Sequence, residues 1–311
     1  MKRQFVEDLS EGMAVSDLFV VSRREVKSKR DGEAFLALTL SDRSGSIDAV
    51  MWDGVSSVIR DLCVGDVVEA MGSVGSYGDK PQVTLKGLRP VEDVDPGDFL
   101  PASSIDPAEC VEEIRAAISM MKDRHLQELL RLFFDDGEFV KSFSLCPAAQ
   151  WMHHPYVGGL AEHTRNVLRL CQGVCSHYEE VDGDLLTAGG ILHDIGKMKE
   201  LAFDTAIDYT DHGRLLGHLI LGYDMVMRAA ARVEGMPETT SKKLAHMMIS
   251  HHGQREWGSV KVPMFPEALI LHTLDNLDAK LYMMRHAAET AGEEAAWSDY
   301  VKMLEGQIYL K

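Results

Sequence analysis

Up to about residue 90 the apolar positions alternate with polar ones; beyond about residue 110 they recur every three or four residues. In "EAFLALTL" Leu36, Leu38 and Leu40 share one face, while Phe35, Ala37 and Thr39 share the other. "SIDAVMW" repeats the pattern, with Ile47, Ala49 and Met51 on the core face. Ahead of these, "MAVSDLFVVSRREVKS" predicts a long first strand and "RDGEAF" a hairpin turn. "GVSSVIRDL" is long enough for a short helix, and "GDVVEAMGSV" and "KPQVTLKGLRPV" add two strands around the turn "GSYGD".

Three strands, a short helix and two strands is the order of an OB-fold, a five-stranded barrel that commonly binds oligonucleotides on its second and third strands. The pattern puts Phe35 and Trp52 on that face, where either could stack on a base or simply cover the barrel. "EDVDPGDFLPASSIDPAE" is rich in proline, acid and small residues and reads as a linker. Asp106 followed by Pro107 then opens a helix over "PAECVEEIRAAISMM". Helical periods continue to the end, where "AETAGEEAAWSDYVKMLEGQIYLK" is expected to be a helical tail. The fold class expected is multidomain α and β: an OB-fold barrel over 1–91, a linker over 92–109 and an all-α domain over 110–311.

Composition narrows the class. A net charge of −17 argues against holding nucleic acid through a general basic field, although "SRREVKSKR" is locally basic. No apolar run reaches the ~18 residues of a membrane helix, and the start lacks the apolar core of a signal peptide. The five cysteines, Cys63, Cys110, Cys146, Cys171 and Cys175, form no regular framework and are expected to be free, mostly buried thiols. A soluble cytoplasmic protein is the expectation.

The histidines of the helical half carry the chemistry. His163 lies in "GGLAEHTRNV", His193 and Asp194 in "ILHDIGK", His218 in "GRLLGHLILG", His251 and His252 in "MISHHG", and Asp275 in "LHTLDNLDAK". Each sits on or at the end of a separate predicted helix beside apolar residues. A lone histidine in such a place is usually a satisfied core residue. Five such sites are different, because burying so many ionisable groups without partners is costly. A metal centre accounts for them: imidazole and carboxylate donors suit manganese, iron, zinc or cobalt, and an aspartate can bridge two ions. The absence of a thiolate set argues against a structural zinc site.

The order H…HD…H…H…D around "HDIGK" resembles the HD-domain phosphohydrolases. With "HHPYVGGLAEHT", "FDTAIDYTDHGRLLGH", "SHHGQREWGSVKVP" and "EALILHTLDNLDAK" the chain is similar to the YhaM family of 3′–5′ exoribonucleases, over about residues 5–305. That resemblance implies an OB-fold ahead of an HD domain and two divalent ions, manganese first, with cobalt, iron or magnesium as alternatives. It assigns His163, His193, Asp194 and Asp275 to one ion, Asp194 as the bridge, and His218 with His251 to the second. Spacing alone does not choose between His251 and His252, and His251 is the expected ligand. Lys197, one helical turn after the HD pair, and Arg214, four residues before His218 on the same helix face, are candidate phosphate contacts. His154 is expected to orient substrate or leaving group, while His153 and His272 are expected in supporting or core roles. Asp278 and Lys280 could pair with each other or touch substrate. The implied substrate is single-stranded RNA, with single-stranded DNA as a further substrate, hydrolysis of free or cyclic nucleotides as the rival reaction, and a homo-oligomer as the assembly.

Overall fold

The computed structural model describes residues 2–29, 32–55, 62–78, 80–92, 94–150, 153–203, 205–291 and 295–311. They form two compact units, Met1–Ala102 with Phe203–Ala206, and Ser103–Ala202 with Ile207–Lys311.

The first unit is built on β1 (Ala14–Ser28), β2 (Ala34–Asp42), β3 (Gly45–Met51), β4 (Val67–Tyr77) and β5 (Lys80–Pro90). They close into a barrel in the order β1-β2-β3-β5-β4. Closure depends on the length of β1, whose first half pairs with β4 and whose second half pairs with β2. Its register shifts between Val21 and Arg23, the kind of bulge that lets one strand turn a barrel corner. The alternation read from the sequence appears as register: Leu36 faces Met51, Leu38 faces Ala49 and Leu40 faces Ile47, all six buried. β3 and β5 are parallel, as an OB-fold requires. Most of the helix expected over "GVSSVIRDL" lies outside the described residues.

One end of the barrel holds a feature the pattern did not show. Lys2 is buried beside Asp42, with Nζ 3.0 Å from Oδ2 and both side chains fully covered. Its ammonium also lies over the Phe19 ring, 3.4 Å from the centroid.

The stretch 92–109 is divided. Phe99 packs with Val20 and Val67 against the barrel, with Val94 beside them. Helix α1 (Pro107–Met120) starts within it, and the Asp106 side chain accepts from the Ala108 amide.

After α1 come α2 (Arg124–Phe134), α3 (Gly137–Leu145), α4 (Gly159–Cys175), α5 (Gly183–Leu192) and the one-turn α6 (Lys197–Glu200). A two-stranded ribbon, β6 (Leu201–Ala202) with β7 (Asp208–Tyr209), leads to α7 (Asp211–Ala230), α8 (Glu238–Ser250) and α9 (Pro266–Thr290). α5 is apolar on every side and buried from Leu185 to Leu192 apart from Thr187, so it forms the centre of the unit.

The expected helical tail is corrected. Helix α9 ends at Thr290, and the chain beyond Ala295 folds back, bridging Trp297 to Tyr309 and Val301 to Gly306. The aromatic and β-branched residues here favour extended backbone, and Glu305, at φ 53°, reverses the chain. The five cysteines are free, but Cys63 is exposed and Cys175 half-buried. No helix among the described residues is long and apolar enough to cross a membrane.

Candidate metal centre

His193 and Asp194 stand in the turn between α5 and α6, at the inner end of the buried helix. His163 comes from α4, His218 from α7, His251 and His252 from the C-terminal end of α8, and Asp275 from α9. Two glycines make the approach close. A Cβ on Gly196 would lie 2.1 Å from the His218 carbonyl oxygen and 2.6 Å from the Gly222 amide, so the glycine of "HDIGK" lets α7 cross against the turn. Gly217 breaks α7 at φ 71°, a conformation that suits glycine, and aims the next residue, His218, inward.

The side chains converge on the two oxygens of Asp194. Oδ2 lies 3.2 Å from His193 Nε2 and 3.5 Å from His163 Nε2. His163 Nε2 is in turn 3.2 Å from both His193 Nε2 and Asp275 Oδ1. Oδ1 faces the other way, 3.6 Å from His218 Nε2 and 3.6 Å from His251 Nε2. His218 Nε2 is 3.1 Å from His252 Nε2.

Four of the five imidazoles have their outer nitrogen fixed. Nδ1 of His163 meets Asp278 at 2.7 Å, that of His193 donates to the Gly190 carbonyl at 2.9 Å, that of His218 meets Glu200 at 2.9 Å, and that of His252 donates to the Trp257 carbonyl at 2.8 Å. With Nδ1 engaged, each presents Nε2 to the centre, the arrangement that supporting carboxylates and carbonyls impose on metal-bound histidine.

A cation fits this donor set. Asp194 Oδ1 and both ring nitrogens of His251 are buried without a hydrogen-bond partner. Left so, they would cost about 1–3 kcal/mol each. Nitrogens sharing an ion at ~2.1 Å, at right angles to one another, stand ~3 Å apart, close to the spacings seen here. Charge points the same way: Asp194, Asp275, Asp278 and Glu200 outnumber the ammonium of Lys197 in a nearly closed space. Burial opposes charge on Asp194, but Lys197 and His193 hold its carboxyl well below the usual range. Burial likewise opposes a proton on His163, yet Asp275 and Asp278 raise it to about 10, a measure of how strongly this position favours positive charge. Burial lowers His251 and takes His252 down to about 3, leaving both neutral with lone pairs free.

Lys197 is 5% exposed, its Nζ 2.5 Å from Asp194 Oδ2, so it is no solvated helix-end lysine. It opens with His153, Asp194, His252, Trp257 and Asp275 onto a cavity of about 570 Å³. His252 therefore converges on the site together with His251 rather than instead of it.

Three expectations change. Arg214 does not share a helix face with His218, because the break at Gly217 lies between them; its side chain is exposed and paired with Asp208 at 2.8 Å. His153 and His154 exchange roles. The left-handed backbone of His154, φ 47°, turns its ring into the protein, where it is fully buried between Tyr156 at 2.6 Å and Asp278 at 3.2 Å. His154 thus stands buried behind His163, while His153 faces the cavity, 3.5 Å from Lys197 Nζ. Asp278 is the shared acceptor of His154 and His163, and Lys280 lies over the Trp257 ring instead of pairing with it. His272 Nδ1 donates to the His251 carbonyl at 2.9 Å, a supporting contact. Sequence reasoning missed Glu200, which takes both the amide and Nδ1 of His218. Its only sequence signal is its position three residues past Lys197.

On the barrel, Phe35 and Trp52 stack on each other, ring centroids 4.6 Å apart, with Trp52 exposed.

Comparison with known proteins agrees with this division. Residues 160–280 match the HD domain and residues 20–91 match the OB-fold nucleic acid binding domain. The chain is 38% identical over 284 residues to the 3′-5′ exoribonuclease YhaM of Bacillus subtilis, covering 90% of this chain and 89% of the relative. It is 35% identical over 303 residues to that of Bacillus velezensis, covering 96% and 95%, and 36% identical over 272 residues to that of Listeria innocua, covering 86% of each. With an OB-fold barrel, an HD domain and end-to-end similarity to these relatives, the chain belongs to the YhaM family of 3′-5′ exoribonucleases.

Proposed function

We propose that this protein is a metal-dependent exonuclease that shortens single-stranded RNA from its 3′ end and releases 5′-mononucleotides. The observation that carries the metal-dependent chemistry is the division of Asp194, whose Oδ2 faces His163 and His193, with Asp275 against His163, while its Oδ1 faces His218 and His251. On this reading the first set holds one divalent ion and the second set, joined by His252, holds another; manganese is taken first from the family resemblance, and iron, cobalt or zinc also suit imidazole and carboxylate donors. Two such ions supply, when bound, an acidified water and neutralisation of phosphoryl charge.

The protein's own residues do the rest. Asp194 holds both halves in register, and Glu200 and Asp278 orient His218 and His163. Lys197, at the cavity wall, offsets charge on a phosphoryl oxygen. His153 borders the same space and helps position the phosphate. Water adds to phosphorus, the bond to the upstream 3′-oxygen breaks, and that oxygen leaves with a proton as a 3′-hydroxyl. Binding of the single strand belongs to the barrel, with Trp52 as the exposed stacking surface beside Phe35. DNA is a second substrate, since nothing in this chemistry requires the 2′-hydroxyl. A homo-oligomer is supported by the exposed Leu269, Leu277, Leu281 and Met284 along α9, and a cytoplasmic location by the free cysteines.

The test is to incubate the protein with 5′-labelled single-stranded RNA and manganese, beside matched DNA, free nucleotides, a chelator and Asp194→Ala. A ladder shortening from the 3′ end, lost with chelator and with the variant, is expected. Turnover of free nucleotides without any ladder would overturn the reading.

A further inference from the structure

A second cavity, of about 450 Å³, adjoins the reaction cavity, and the two share Met283 and Met303 as lining. Its walls are α9 and the folded-back C-terminal segment, which brings Trp297, Tyr300 and Lys302 to it. Trp297 is 55% exposed and Tyr300 65% exposed, so these rings do not serve a core. Trp297 is held in place nonetheless: its backbone bridges to Tyr309, and its ring lies 5.2 Å from the Tyr309 ring. Fixed, exposed aromatic planes are what a nucleobase stacks on, in any sequence. The volume falls within the ~300–1,000 Å³ of small-ligand pockets, and one nucleotide occupies it more readily than a running strand.

Resting on the exonuclease reading, we propose that this cavity receives the base of the 3′-terminal nucleotide, the one to be released. The scissile phosphate then lies in the reaction cavity beside Asp194 and Lys197, and the terminal base passes Met283 and Met303 to stack on Trp297 and Tyr300. The two methionines are flexible enough to shape themselves to either a purine or a pyrimidine. The segment past α9 thereby has a substrate-binding role rather than only a packing one.

The test uses the full-length, manganese-loaded protein and compares adenosine 5′-monophosphate with ribose 5-phosphate by calorimetry, in the wild type, Trp297→Ala and Trp297→Phe. Because Trp297 is exposed, melting temperatures should change little and serve as the control for folding. The wild type should favour the nucleotide about tenfold or more, Trp297→Ala should lose that preference, and Trp297→Phe should keep most of it. In RNA degradation, Trp297→Ala should raise KM about tenfold for an ordinary 3′ end while leaving RNA with a 3′-terminal abasic ribose unaffected. Equal affinity of the wild type for the two ligands would overturn the pocket, as would an equal loss on both RNAs in the variant. A retained nucleotide preference in a protein that never shortens RNA would keep the pocket and sink the exonuclease reading.

Discussion

Glu200 offers a test of the two-ion arrangement that leaves every proposed ligand in place. Its carboxylate takes the His218 amide at 2.9 Å and the His218 Nδ1 at 2.9–3.0 Å, so it sets both where the ring sits and which nitrogen faces Asp194. Glu200→Gln keeps the shape and one acceptor oxygen but removes the charge and sets an amide group against Nδ1–H. Loss of such a supporting contact costs ~10–100-fold in metal affinity, or ~1.4–2.8 kcal/mol. The cost should fall on one ion only. His218 faces Asp194 Oδ1 with His251 and His252, whereas His163, His193 and Asp275 gather at Oδ2.

The assay is calorimetric titration of manganese into chelator-stripped protein, with Asp278→Asn in parallel. Asp278 supports His163, so the two variants should weaken different steps of a two-step isotherm. The Glu200→Gln step should move by at least tenfold while the other stays within about twofold. A single shared shift in both variants would refute the division at Asp194. No shift in either would refute the metal centre as described.

Lys197→Met should lower kcat by ~10²–10³-fold with a smaller change in KM, by analogy with the loss of one charge-stabilising donor; an unchanged kcat in steady-state RNA cleavage would reduce Lys197 to a counterion for Asp194. Chelation should lower the melting temperature of the helical unit by roughly 10–20 °C when both ions are removed, since each ion at a hundred times its Kd contributes about 2.7 kcal/mol. Calorimetric scans should show no such shift in the barrel transition, and a shift there would place the ions elsewhere. Asp42→Ala should do the reverse, costing the barrel about 3–5 kcal/mol by stranding the buried Lys2 ammonium, read by denaturant unfolding. Adding Lys2→Met to it should recover part of that loss, and no recovery would mean the damage is not electrostatic.

The barrel could be read because each strand carries its own period, and a two-residue period fixes which face is buried before any partner is known. Leu36, Leu38 and Leu40 needed only their own segment. What escaped depended on contacts between distant segments. Lys2 sits 40 residues before Asp42, and nothing local marks either as buried. The last segment follows the helical half and reads as its tail, while its backbone is set by Trp297, Val301 and Tyr309 pairing across a turn at Glu305.

The side chains that converge on Asp194 were legible for a related reason, and much of what holds them was not. A residue that binds an ion must be placed by its own helix, so it leaves a local trace, a polar group where the period demands an apolar one. Asp278, which holds His163, lies 115 residues from it, and Glu200 lies 18 residues from His218. Neither interrupts a pattern in a way that separates it from an ordinary exposed acid. The paired histidines failed differently. On a helix, neighbours point ~100° apart and only one can face a given site, whereas spacing alone leaves His251 and His252 as alternatives. But α8 ends at Ser250, His251 is its cap and His252 belongs to the turn, so both rings reach the same centre. His153 and His154 lie in a loop, where the left-handed backbone at His154 sends the rings to different sides. Choosing one of two neighbours is therefore sound within a helix and loses its footing where the helix stops, and the His251–His252 and His153–His154 pairs both lie outside a helix.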